Sequence, residues 1–158
     1  MKSILLLFIL AVTMSSCGTS RPNLLGKMPK AEREAYLIKL GKEVTKAFGP
    51  GYYREYKQPL ISKPEKFKDN DMRPEIQANI GRKYYVVTFL YDPSKEKLDW
   101  DFASKVEIWQ DTGEPMGAIF GNGYGRDFIF DSYEEQLRWP DRPITPYQQA
   151  APLPDVLW

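Results

Sequence analysis

The chain has 158 residues, a formal net charge of +1, no histidine and one cysteine, Cys17. Without histidine there is no Ser-His-Asp triad, no imidazole general base and none of the common zinc or iron ligand sets; with one thiol there is no intrachain disulfide and no cysteine metal cluster. The near-neutral charge supplies no basic field for nucleic acid, and any enzyme on this chain would have to work with carboxylates, Lys, Tyr or Ser alone.

The chain opens on Met1-Lys2-Ser3, an apolar run from Ile4 to Val12, and then Thr13-Met14-Ser15-Ser16-Cys17. A basic end, an apolar core and small residues before a cut are the parts of an export signal. The apolar run is nine residues long. At about 1.5 Å of rise per residue a helix of that length cannot cross the ~30 Å hydrocarbon layer. Met14-Ser15-Ser16-Cys17 resembles the lipobox of bacterial lipoproteins, with Met14 where that family usually carries Leu. The resemblance implies that residues 1–16 are a signal peptide. It also implies a diacylglyceryl group on the Cys17 thiol, an acylated new amino terminus, and residues 17–28 as a lipidated tether. Two or more acyl chains anchor stably where one does so only marginally. If Cys17 is lipidated, the folded part has no thiol. Gly18 lacks the Asp that resembles an inner-membrane retention signal, and no acidic cluster resembles a surface-export signal. The expected location is therefore the periplasmic face of an outer membrane.

Residues 18–27 are polar, with Pro22 and Gly26, and suit a tether. From Pro29 to Phe48, Tyr36, Leu37, Leu40, Val44, Ala47 and Phe48 recur on one face of a 3.6-residue period; Gly49-Pro50-Gly51 ends this helix. From Tyr52 to Phe67 the chain is expected to be extended, broken by Pro59 and Pro64. Arg73 to Gly81 allows a short helix with a glycine stop. Lys83 to Tyr91 is dense in β-branched and aromatic residues and apolar on both faces, so it predicts a central strand. Leu98 to Gln110 predicts a second strand. Leu98, Trp100, Phe102, Val106 and Ile108 point one way; Asp99, Asp101, Lys105, Glu107 and Trp109 point the other. Asp111 to Glu114 is a hairpin turn, Met116 to Phe120 a third strand, Gly121 to Gly125 a loop, and Arg126 to Phe130 a last strand.

Pro140, Pro143, Pro146, Pro152 and Pro154 keep residues 138–158 out of regular structure, while Leu153, Val156, Leu157 and Trp158 favour an arm packed on the domain. The expected fold class is α+β: one domain over residues 29–137, with a long N-terminal helix packed on a curled, mainly antiparallel sheet, and a proline-rich C-terminal arm. That element order resembles the cystatin-like and NTF2-like folds, which host binders, inhibitors and enzymes alike.

No candidate catalytic or metal-ligating residue emerges, and no cofactor motif is complete. Gly121-x-Gly123-x-Gly125 is followed by strand-like Phe128-Ile129-Phe130, not by the helix a dinucleotide fingerprint needs. Asp69-Asn70-Asp71 lacks the glycine and the closing Glu of a calcium loop. The candidate binding residues are Asp99, Asp101, Glu107 and Trp109 on one strand face, and Tyr124 and Arg126 at a loop tip. Strand neighbours two apart lie about 7 Å apart, within the range of paired glycosidase carboxylates, and an aromatic wall suits sugar; a plain solvated face shows the same alternation. Tyr52, Tyr53 and Tyr56 with Arg54 and Lys57 form either an aromatic, basic patch or an edge strand. The leading expectation is a non-catalytic, lipid-anchored envelope protein that binds another envelope protein or a polymer. A carbohydrate-binding module or carboxylate-only glycosidase, and an inhibitor presenting the Gly121–Arg126 loop, remain alternatives. The membrane is a partner through Cys17; nucleic acid is not expected.

Overall fold

The computed structural model describes residues 23–49 and 56–138. Cys17 and its flanking signal, Tyr52, Tyr53, Arg54 and the expected arm beyond Arg138 lie outside the described residues.

A short helix, α1 (Leu24–Lys27), opens the described fold and α2 (Lys30–Phe48) follows after Pro29. The apolar stripe of α2 works as its spacing predicts, with Leu37 and Val44 wholly buried. Two small residues join that face. Gly41 lies so close to Phe89 that a side chain there would crowd the ring. Thr45 Oγ1 donates to the Gly41 carbonyl at 2.8 Å and lies 2.9 Å from Ser104 Oγ. With the Thr45 proton given to Gly41, Ser104 is the donor to Thr45. This buried pair ties helix to sheet and leaves neither hydroxyl unsatisfied.

Among the described residues the sheet has six strands, β1 (Leu60–Ile61), β2 (Glu65–Lys66), β3 (Lys83–Phe89), β4 (Ser104–Trp109), β5 (Pro115–Phe120) and β6 (Gly125–Asp127). Every pairing is antiparallel, in the order β1-β3-β4-β5-β6, with β2 also on β3. Pro64 separates the two short edge pieces, as a residue without an N–H must. The short helix α3 (Pro74–Gln77) lies between β2 and β3, and the chain turns at Gly81, φ +80°. Leu37 and Val44 of α2 meet Tyr85, Val87 and Phe89 of β3, Val106 and Ile108 of β4, and Ala118 and Phe120 of β5 in one core. The protein is thus α+β, a long helix on one face of an antiparallel sheet.

Four boundaries differ from expectation. The last strand, expected over Arg126 to Phe130, is β6 over Gly125–Asp127, and Phe128 leaves it for the core. The chain joins the fold before Pro29, because Leu25 is 0% exposed in the core and the Leu24 and Leu25 N–H groups donate to the carbonyls of Asp111 and Gln110. The strand expected from Leu98 begins only at Ser104; residues 99–103 form bends. A last helix, α4 (Tyr133–Leu137), follows the sheet. Ser132 and Glu135 form a reciprocal capping box at its start, and Tyr133 packs on Phe48 and Phe128.

Candidate functional site

β4 has a tryptophan and carboxylates beyond or at each of its ends, and the two ends are built differently. At the C-terminal end Trp109 is only 5% exposed. Phe67 and Tyr84 meet its ring edge-on at centroid distances of 5.5 and 6.4 Å, and the Arg82 guanidinium lies 3.9 Å from its centroid. Arg82 Nε and Nη2 donate to the two carboxylate oxygens of Asp111 at 2.9 and 2.6 Å, and Nη1 donates to Asn79. Burial pushes the Asp111 carboxyl up, but the Arg82 hydrogen bonds and charge outweigh it and hold the group below its ordinary value. The excursion from Phe67 to Arg82, closed by Phe67 N–H to the Arg82 carbonyl at 2.7 Å and Gly81 N–H to the Phe67 carbonyl at 3.0 Å, brings these partners over the outer face of the sheet.

At the N-terminal end the chain bends where a strand was expected. The Asp99 and Trp100 N–H groups both donate to the Gly121 carbonyl, at 2.9 and 3.1 Å, and Gly121 N–H donates to the Ala103 carbonyl at 2.8 Å. Gly121 is required by this approach, since a Cβ would collide with the Phe102 carbonyl and with Leu98. Gly123 takes φ +83° in the adjoining turn. Trp100 is 52% exposed and stacks on buried Phe102, centroids 5.9 Å apart and planes 27° apart. The Lys105 ammonium lies 4.1 Å from the Phe102 ring centroid. Asp99 and Asp101 are exposed, and among the described residues neither carboxylate has a hydrogen bond or ion pair. Tyr124, 74% exposed, closes the turn.

The four candidates Asp99, Asp101, Glu107 and Trp109 therefore do not share a strand face. Asp99 and Asp101 stand in the bend; Trp109 is covered by Phe67, Tyr84 and Arg82; Glu107 lies between, opposite Val86 of β3 and Gly117 of β5. Burial pushes the Glu107 carboxyl up, and the charges of Asp127 and Glu65 push it further. No hydrogen bond or ion pair reaches it among the described residues. Its charge adds to burial in raising the Tyr84 hydroxyl, with Glu65 contributing as well. A β-bulge adjoins it: Glu107 pairs with Gly117 and Ile108 with Pro115, leaving Met116 as the extra residue. Among the described residues no group of three or more carboxylates is arranged to hold a metal ion.

Of the loop-tip pair, Tyr124 is on the surface. Arg126 sits on the edge strand β6 opposite core residue Ala118, which directs it to the helix side of the sheet. The residue that the sequence pattern missed is Trp100. Strict alternation puts it with Phe102 in the core, and only the bend before Ser104 releases it. Its position between two aspartates was the available signal.

No family model, curated protein or solved structure matches the chain.

Proposed function

We propose that the chain is a lipid-anchored protein of the bacterial cell envelope whose domain binds a partner and does not transform a substrate. Lipid on Cys17 holds it to the periplasmic face of the outer membrane, and the partner is another envelope protein or an envelope polymer. The order of one long helix and then antiparallel strands supports a cystatin-like or NTF2-like arrangement, with the sheet curling around α2.

One observation carries the binding reading: two exposed aromatic rings, Trp100 at 52% and Tyr124 at 74%, lie at the end of β4 opposite the one that Leu24 and Leu25 join. Leu24 and Leu25 are hydrogen-bonded to Asp111 and Gln110, just past Trp109, whereas Trp100 and Tyr124 flank the start of β4. Six residues of strand separate these ends by about 20 Å. From Cys17 to Asn23 the chain spans at most about 20 Å even when fully extended. A lipid on Cys17 would therefore hold the hairpin end within about 20 Å of the bilayer. Among the described residues no helix is long and apolar enough to cross a membrane.

The test is metabolic labelling of cells with an alkyne-bearing palmitate, followed by membrane fractionation. The parent chain is expected to carry label and sediment with membranes, and Cys17→Ser to lose both. An unlabelled parent would remove the lipid anchor from this reading.

A further inference from the structure

We propose that the Trp100 surface binds an uncharged pyranose of the cell-wall glycan, the Trp100 ring stacking on the sugar's C–H face while Asp99 and Asp101 accept hydrogen bonds from its hydroxyls. The inference deepens the binding reading above and rests on it for a place in the cell envelope.

The ring is held in place before any ligand arrives. Phe102 backs it at 27° between planes, and the two N–H bonds of Asp99 and Trp100 to the Gly121 carbonyl fix the backbone that carries it. The indole edge lies beside Gly123, Nε1 being 3.9 Å from where a Cβ would stand, an ordinary contact distance. A flat aromatic ring fixed in this way offers apolar area at little entropic cost. The carboxylates of Asp99 and Asp101, one residue to either side, are pure hydrogen-bond acceptors with no partner among the described residues. Tyr124 adds a second exposed ring with a hydroxyl across the turn.

The alternative is a protein interface. Such interfaces have cores depleted of charged residues and bury about 800 Å² on each partner. Here the ring has an exposed carboxylate on each neighbouring residue, without a partner among the described residues, a composition that suits a single sugar ring with an apolar face and hydroxyls at its rim. The same carboxylates disfavour acidic sugars by like-charge repulsion.

The experiment uses the full-length chain in detergent, sedimented with purified peptidoglycan sacculi. A β-1,4-linked N-acetylglucosamine tetramer and a uronic-acid oligomer of the same length serve as competitors. The parent is expected to co-sediment and to be displaced by the neutral tetramer but not by the acidic oligomer. Trp100→Ala is expected to weaken binding about tenfold, the loss of one stacking contact with its buried area. Trp100→Tyr should restore part of that loss, Asp99→Asn should weaken binding, and Met72→Ala, exposed on another part of the surface, should bind as the parent does. An unchanged thermal melt for Trp100→Ala separates lost binding from lost folding. The proposal is overturned by a parent that ignores sacculi, by a Trp100→Ala that binds equally well, or by a crosslink from this surface to a protein with no saccharide binding. Cys17→Ser is expected to keep saccharide binding. Failure of the anchor therefore shows as an unlabelled parent, and failure of this inference as a labelled, membrane-bound parent that ignores sugar.

Discussion

Trp100 and Trp109 stand at opposite ends of one strand, each with acidic residues within two positions, yet one is open and the other closed. Residues 67–82 cover Trp109 and supply Arg82 to pair with Asp111. Among the described residues nothing equivalent covers Trp100, and Asp99 and Asp101 stay unpaired; the Asp99 and Trp100 N–H groups are turned onto the Gly121 carbonyl. The same residue types thus serve packing at one end and remain exposed at the other. What separates them is which distant segment of chain returns to cover them.

The largest effect expected from breaking this contrast is at the closed end. Trp109→Ala removes a buried ring bordered by Phe67, Tyr84 and Arg82 and should cost about 3–5 kcal/mol, read as a large drop in melting temperature or urea midpoint. A loss below about 1 kcal/mol would mean that the cover of residues 67–82 contributes little to the fold.

Arg82→Ala is next. It leaves Asp111 half-enclosed without its cation, and a cost of about 2–3 kcal/mol is expected, under that of a wholly buried pair because both side chains keep some solvent. Asp111 is held below its ordinary value of 3.8, so the pair's stabilisation is present above that pH and fades as acid protonates the folded carboxylate. The destabilisation by Arg82→Ala should therefore shrink toward low pH; an equal deficit at pH 7 and pH 2 would contradict the ion-pair account.

Glu107 has the opposite sign. Its folded carboxyl is held above the ordinary value of 4.5, so the native state keeps this proton longer than the unfolded chain and loses stability as pH rises through that window. Glu107→Gln should gain in melting temperature relative to the parent as pH goes from 4 toward 8. A pH-independent difference between the two would count against an unpaired, partly buried carboxylate. The smallest effect is expected at the open end, where Trp100→Ala should alter stability by no more than about 0.5 kcal/mol while altering binding.

Much of the fold was legible. The 3.6-residue stripe of α2, the β-branched run of β3 and the turn residues 111–114 each have a local cause, and each formed where its cause predicted. The candidate site was less legible, because alternation from Leu98 to Gln110 is equally consistent with one long strand and with a bend leading into a shorter one. The Gly121 carbonyl, more than 20 positions downstream, decides between them by accepting the Asp99 and Trp100 N–H groups. The capping box of Ser132 and Glu135 was visible as Ser-x-x-Glu and marks α4, which the sequence pattern left unassigned. Thr45 and Gly41 were overlooked on α2 because a helix face is read by its apolar residues, whereas close approach to a sheet selects small ones.

By itself the sequence determined what depends on neighbours in the chain: helix α2, the strand-forming segments, their turns, and the lack of histidine and of any cysteine but Cys17. Only the tertiary structure decided which side chains meet solvent. It placed Trp109 under residues 67–82, left Trp100 beside Gly123, and drew Leu25 into the core. Burial is a property of pairs of distant segments, and no local period encodes which of them come together.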